Sequence, residues 1–217
     1  MHDVDVVLPC LDEAAAIPGV LGAIPRGFRP LVVDNGSRDG SAEIAAAHGA
    51  VVVREPRRGY GAAVHAGLMA VEGEFVCFLD CDGSLDPAVL PTLVGLVRQG
   101  QADLAVGRRV PVSAKAWPWH ARAGNALIAR LLRRRGLPVH DIAPIRAARR
   151  TALLRLGIAD RAFGYPLELL CKAAAAQWRV CELDVEYRPR ASGTRSKVSG
   201  SVLGTIRAVR DMAGVLR

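Results

Sequence analysis

Short β-branched runs alternate with amphipathic stretches along the first half of the chain. Residues 4–8 form an apolar run closed by Pro9, 31–34 form a second that ends on an acid, and 51–53 form a third. Residues 75–79 make a fourth run, followed at once by Asp80, and 104–106 make a further short one. Between them, apolar spacing predicts helices from a cap at Asp12 through Ile24, from the 35–41 turn to His48, and over 59–71 and 87–99. Strand, helix, strand at this spacing implies right-handed crossovers and a largely parallel sheet. Ligands of such sheets lie beyond the C-terminal strand ends. Those ends carry residues 9–13, 34–41 and 80–84, so three polar clusters converge on one edge.

The second half reads as mostly helical, over 121–135, 147–156 and 166–177. An alternating strand over 180–187 leads into the loop 188–197. Beyond it, Val198, Val202, Ile206, Val209, Ala213 and Leu216 fall at spacings of three and four. This predicts an amphipathic helix with Arg207, Arg210 and Arg217 off the apolar stripe. No repeat or low-complexity linker divides the chain. The expectation is a single α/β domain over 1–217 with two functional halves, 1–105 and 106–217.

Composition narrows the class. Hydrophobic residues are 51% and charged residues 23% of 217, which suits a globular core. The best apolar run, 88–97, is ten residues long and holds Pro91 and Thr92, short of the roughly 18–20 a membrane span needs. The N-terminus lacks the basic flank and apolar core of a signal peptide. Five cysteines without C-x-x-C spacing argue against a zinc site or disulfide framework and suit a reducing cytoplasm.

The net charge of +8 hides an asymmetry. Residues 1–105 hold 7 basic and 14 acidic residues, net −7, whereas 106–217 hold 22 and 7, net +15. An acidic half facing an anionic ligand calls for a mediating cation, and the basic half suits phosphate or an anionic surface. Aromatics are only 5%, so stacking platforms for nucleic acid are scarce and no nucleic-acid partner is expected.

Asp80-Cys81-Asp82 follows a buried-looking strand, and residues two apart share a face, so both carboxylates can share one cation. Few, hard oxygen ligands suit Mg²⁺ or Mn²⁺, with substrate phosphate completing the shell. Asp34 ends its strand before the turn that holds Gly36 and Ser37, and it can accept hydrogen bonds from a nucleobase edge. Asp39 and Ser41 read as turn and cap residues. Arg57 and Arg58 precede Gly59-x-Gly61 at a helix start, where backbone and dipole favour phosphate. His140-Asp141 reads either as an active-site carboxylate or third metal ligand, or as a satisfied loop pair. The basic run 129–136 reads either as a solvated helix face or as a seat for anionic lipid. Cys10, Cys77 and Cys81 read as small apolar packing groups.

Taken together, VVLPCLDEAAAI (6–17), VVDNGSRDGS (32–41), RRGYGAA (57–63) and FLDCDGSLDP (78–87) resemble the nucleotide-sugar half of family 2 glycosyltransferases with the GT-A fold. VGRR (106–109), HDIAPIRAARR (140–150), the 165–190 stretch and GTRSKVSGSVLGT (193–205) resemble its polyprenyl- or dolichyl-phosphate mannosyl- and glucosyltransferase branch. The resemblance implies a metal-dependent, inverting transfer of a hexose from a UDP- or GDP-sugar, with a polyprenyl phosphate at the inner membrane face as the leading acceptor. A soluble hydroxyl acceptor and a non-catalytic nucleotide-sugar-binding module are the alternatives.

By position, the resemblance implies that Pro9, Leu11 and Glu13 border the nucleoside and Asp34 reads the base. Asp80 would hold ribose or metal, and Asp82 would be the principal metal ligand. Arg109, Arg122, Arg190, Ser196 and Lys197 would surround the donor diphosphate or an acceptor phosphate. Asp141 and Glu168 would face the reacting sugar and acceptor. At position 84 the chain carries Ser where the lipid-phosphate branch often carries Gln.

Overall fold

The β-branched runs of the first half form neighbouring parallel strands. In the computed structural model, which describes residues 2–113, 116–134 and 136–191, these are β1 (Val4–Cys10), β2 (Phe28–Asp34), β3 (Val51–Arg54) and β4 (Phe75–Phe78). β1 pairs in parallel with β2 and β4, and β2 pairs in parallel with β3. Later strands are β5 (Leu104–Pro111), β6 (Ile145–Arg149) and β7 (Val180–Tyr187), completing one sheet of order β3-β2-β1-β4-β6-β5-β7. The predicted helix 198–217, together with Ser196 and Lys197, lies outside the described residues.

Helices cover both faces of the sheet and bury two apolar cores. Val6, Leu8, Val32, Cys77 and Ala105 face α1 (Ile17–Ala23), α2 (Ser41–Ala47) and α4 (Leu90–Arg98). Val7, Leu31, Val33, Val76, Phe78 and Val106 face α3 (Tyr60–Ala70), α5 (Trp119–Arg134), α6 (Arg150–Arg155) and α7 (Tyr165–Ala175). Apolar side chains thus alternate to opposite faces along each strand, as a sheet covered on both sides requires. No helix among the described residues is long and apolar enough to cross a membrane.

Two local expectations change. Asp12 does not cap the first helix; its backbone is left-handed at φ 53°, and Ala16 stands at the cap position before Ile17. Residues 145–149, expected to enter a helix at 147, form β6 instead, antiparallel to both β4 and β5. The sheet is therefore mostly rather than wholly parallel. The Ala-rich segment Ala147-Ala148 favours helix in isolation, but the open hydrogen-bonding edges of β4 and β5 claim it.

Candidate active site

The C-terminal ends of β1, β2 and β4 meet at one edge, and hydrogen bonds lace their loops together. The amide of Asp12 donates to Ser37 Oγ (3.0 Å), that of Glu13 to Ser41 Oγ (3.0 Å) and that of Ala14 to Asp39 Oδ2 (3.0 Å). Arg38 N–H donates back to Asp12 Oδ1 at 2.8 Å. Ser37, Asp39 and Ser41 thus fasten the first loop. Asp34 is buried, and its Oδ1 accepts the Ser37 N–H at 2.9 Å. Pro9 and Leu11 are half-buried beside it.

Asn35 is a site residue that the sequence reading missed. Its side-chain amide donates to the carbonyls of Glu55 (2.9 Å) and Arg57 (2.8 Å) and accepts the Gly59 N–H (2.9 Å). One buried amide therefore straps the 55–59 segment onto the turn after β2. The Arg58 guanidinium lies against Gly36, 3.3 Å from where a β-carbon would stand, and Arg57 is exposed. The only forewarning in sequence was an Asn directly after a strand-ending Asp.

Gly59 and Gly61, expected as a phosphate cradle, make a close approach to the protein's own backbone. A β-carbon on Gly59, whose φ is 147°, would lie 2.2 Å from the Arg161 carbonyl oxygen, and one on Gly61 would meet the Asp160 and Arg161 backbone at 2.8 Å. The Gly61 and Ala62 amides donate to the carbonyls of Ala162 and Arg161. These glycines let the start of α3 approach the protein's own 160–162 loop. Glu168 holds that same loop, accepting the amides of Ala159 (2.9 Å) and Asp160 (2.6 Å) and pairing with Lys172 (2.9 Å). Both carboxylate oxygens of Glu168, the residue expected near the reacting sugar, thus hold the 159–160 loop.

Asp80 and Asp82 sit just past β4. Burial and the neighbouring Asp82 charge push the Asp80 carboxyl up to about 6, although the charges of Arg190, Arg109 and Arg146 oppose the rise. Tyr60 Oη donates to Asp80 Oδ1 at 3.4 Å. Asp82 is 2% exposed; its Oδ1 accepts the Ser84 N–H (2.9 Å) and its Oδ2 meets Arg190 Nη1 at 2.8 Å. The same guanidinium lies 3.7 Å from buried Glu13. Asp5, at the far end of β1, shows the contrast. There burial pushes upward too, but Arg29 and the amides of Gly73 and Glu72 hold the carboxyl below its usual range.

Asp80 is thus the buried carboxyl whose surroundings disfavour its charge. Ionising it costs stability that grows as pH rises from about 4 to 6, because the folded protein binds the proton more tightly than the unfolded chain. In the metal-free protein, Asp80→Asn should therefore be more stable than wild type at pH 7.5, by about 1–2 kcal/mol given that Asp80 keeps an edge on solvent. The gain should vanish near pH 4. Urea denaturation at the two pH values checks this, and a variant less stable at pH 7.5 would contradict it.

The two carboxylates fit a divalent cation by donor chemistry. They are hard oxygen ligands at a strand end whose mutual repulsion a cation would relieve, and the Ser84 hydroxyl beside them is fully buried with no hydrogen-bond partner among the described residues. Among the described residues no third His, Cys, Asp or Glu completes a cluster. Arg190 engages the other oxygen of Asp82 from the one that accepts the Ser84 amide, so a cation there would share that carboxylate with a guanidinium.

Arg109 and Asp141 form the second buried pair. Arg109 offers its backbone N–H (2.9 Å), Nε (2.8 Å) and Nη2 (2.7 Å) to Asp141, and its guanidinium lies 4.0 Å from the Trp117 ring centroid and 5.4 Å from that of Tyr187. Asn125 of α5, which the sequence reading also missed, links Arg109 (3.5 Å), the Ile142 amide (3.1 Å) and the His140 carbonyl (3.4 Å). His140 itself is exposed and paired with Glu182 at 2.8 Å, away from Asp80 and Asp82 in the hydrogen-bond network. Arg122 is exposed on α5. Arg146, whose charge reaches Asp80, is fully buried; its Nη2 donates to the Ile142 carbonyl at 2.5 Å, while Nε and Nη1 have no hydrogen-bond partner among the described residues.

Comparison with known proteins agrees with this arrangement. The family model for glycosyl transferase family 2 matches residues 5–157, a stretch that holds all three acidic strand ends. An uncharacterized glycosyltransferase of Mycobacterium tuberculosis is 58% identical over 98% of this chain and 97% of its own. A dolichyl-phosphate hexose transferase of Haloferax volcanii is 34% identical over 89% of this chain and 86% of its own. Among solved structures, glucosyl-3-phosphoglycerate synthase of M. tuberculosis, in complex with Mn²⁺, UDP and glucosyl-3-phosphoglycerate, superposes with a TM-score of 0.78. That match is 24% identical, covers 99% of this chain and 78% of that one, and carries the GT-A fold. With the family model matching most of the chain and relatives of that activity matching nearly all of it, this protein belongs to glycosyl transferase family 2.

Proposed function

We propose that the protein transfers a hexose, with inversion, from a UDP- or GDP-sugar to a polyprenyl phosphate at the cytoplasmic face of a membrane. The observation that carries this reading is the meeting of Asp34, Asp80 and Asp82 at one sheet edge, with the charges of Arg109 and Arg190 reaching Asp80. Similarity to a dolichyl-phosphate hexose transferase supports the choice of acceptor. On this reading residues 1–105 bind the donor and 106–217 the acceptor. β6 of the second half pairs directly with β4 of the first, so both halves depend on one sheet.

Asp34 would accept from the base edge, with Pro9, Leu11, Glu13, Gly36 and Ser37 bordering the nucleoside. Asp80 and Asp82 would hold Mg²⁺ or Mn²⁺, which supplies positive charge to the departing diphosphate. Arg190 would stabilise the same charge, already placed 2.8 Å from Asp82. A phosphate acceptor is ionised near neutral pH and needs no base, so Asp141 is free to hold Arg109 rather than to take a proton. Arg109 would then face the acceptor phosphate with its geometry fixed by three hydrogen bonds to one carboxylate.

Thermal stabilisation by UDP, GDP and their sugars, with and without Mn²⁺, tests the donor half. A bound ligand at 100 times its dissociation constant should stabilise by about 2.7 kcal/mol. One nucleotide should act, and only with metal. No shift with any of them would remove the donor assignment, and turnover with a soluble alcohol but not with polyprenyl phosphate would replace the acceptor.

A further inference from the structure

Resting on the metal and donor reading above, we infer that Arg190 is a resident counter-cation. It holds the metal's place at Asp82 in the metal-free protein and yields it to pair with the donor diphosphate. The residue reaches Asp82 on a strap that comes from the second half of the chain. β7 ends at Tyr187, which bridges antiparallel to Leu85, and the strap continues along the loop after β4. The Arg188 amide donates to the Ser84 carbonyl (2.9 Å), and the Ala191 amide donates to the Asp82 carbonyl (3.0 Å). Backbone pairing on either side thus delivers the Arg190 guanidinium to the site, 2.8 Å from Asp82 Oδ2 and 3.7 Å from Glu13 Oε1.

Three guanidinium charges reach Asp80, and of the three Arg190 is the one placed to move. Arg109 is tied to Asp141 by three hydrogen bonds and lies over the Trp117 ring. Arg146 is fully buried and donates to the Ile142 carbonyl. Among the described residues, the ion pairs of Arg190 are with Asp82 and Glu13, both at the site itself. Its side chain is 28% exposed against 3% for Asp82, so it can turn away where the carboxylate cannot. Sharing one buried carboxylate sets a guanidinium and a divalent cation against each other with little water to screen them. A diphosphate offers the displaced guanidinium a fork of oxygens in exchange for the one it leaves. Metal and nucleotide then favour each other's binding, because the group the first displaces is the group the second needs.

The test compares the full-length wild type with Arg190→Gln, which keeps a hydrogen-bond donor without the charge, and Arg190→Lys, which keeps the charge. Mn²⁺ is titrated alone, with the free ion read by electron paramagnetic resonance. It is then titrated with UDP or GDP present, whichever shifts the Tm, against a protein-free blank. R190Q should bind Mn²⁺ alone about tenfold more tightly than wild type, and R190K about as wild type does. Nucleotide should tighten Mn²⁺ binding about tenfold in wild type and less than about threefold in R190Q. An arginine that merely braced Asp82 would act in the other direction, since its loss would loosen the metal site. The Tm of each variant shows that it folds. A crystal structure of wild type with Mn²⁺ and nucleotide needs no variant: Arg190 should lie on the diphosphate and no longer on Asp82 Oδ2.

Mn²⁺ binding in R190Q no tighter than in wild type would overturn the inference and leave the donor reading standing. So would R190K binding as tightly as R190Q, because charge would then not be what competes, and so would a guanidinium still on Asp82 in the Mn²⁺ complex. Failure of all three proteins to bind Mn²⁺, with or without nucleotide, would defeat the metal reading and this inference with it.

Discussion

Replacing Asp82 by alanine should abolish metal-dependent turnover, with kcat falling by at least about a thousandfold. The residue is fully buried at the end of a central strand, and its two oxygens meet the Ser84 amide and the Arg190 guanidinium. Removing it deletes a hard ligand and leaves Arg190 with the more distant Glu13 as its nearest carboxylate. On the proposed reading, the departing diphosphate then loses the charge stabilisation of a cation held there. Asp82→Asn is the informative companion, since its amide oxygen can still accept the Ser84 N–H while the charge is gone. Measured kcat, Mn²⁺ affinity and Tm separate the causes: low kcat and weak metal binding at unchanged Tm support the assignment. Full activity in Asp82→Asn would remove Asp82 from the site.

Asp141→Asn should destabilise the protein by about 3 kcal/mol, near the low end for breaking a buried ion pair. Asp141 is 1% and Arg109 14% exposed at the side chain, and three of the donors that hold Arg109 in place converge on this one carboxylate. The variant keeps an oxygen acceptor but strands a guanidinium between two aromatic rings without its counter-charge. For a chain of this size that is a Tm loss of roughly 6–12 °C. The double variant Arg109→Met with Asp141→Asn should recover much of the loss, because the stranded charge is gone. Its activity should stay low, since Arg109 is then missing from the acceptor side. An Asp141→Asn protein as stable as wild type would show that the pair contributes nothing to the fold, and would return Asp141 to the role of base.

The three acidic strand ends were legible in the sequence because each follows an apolar run with β-branched residues, and strand ends in a parallel sheet face one edge whatever the details of packing. β6 was not legible. Ile145–Arg149 is short, Ala-rich and charged at two positions, and nothing in its local preference resists a helix. It is a strand because β4 and β5 lie on either side of it with unpaired backbone groups. The glycines of 59–61 were legible as a close approach, but not what they approach. A phosphate and the carbonyls of a distant loop make the same demand on the absence of a β-carbon.

Asn35 and Asn125 gave no periodic signal, since one amide in a turn or on a helix is ordinary. Their value comes from joining segments that only the fold brings near. The hydrogen bonds of Glu168 were hidden for the same reason. Its place in a matching motif was readable, while the loop amides that occupy it were not.

By itself the sequence determined the alternation of strand and helix, the acids and arginines available, and their placement at strand ends, because these follow from local periodicity and chain order. The tertiary structure decided which charge meets which: Arg109 with Asp141, Arg190 with Asp82, and Arg146 buried with its charge reaching Asp80. Those pairings depend on distances of a few ångströms between residues far apart along the chain, and electrostatic attraction in a buried site is set by that separation and by loss of water, neither of which spacing in sequence encodes.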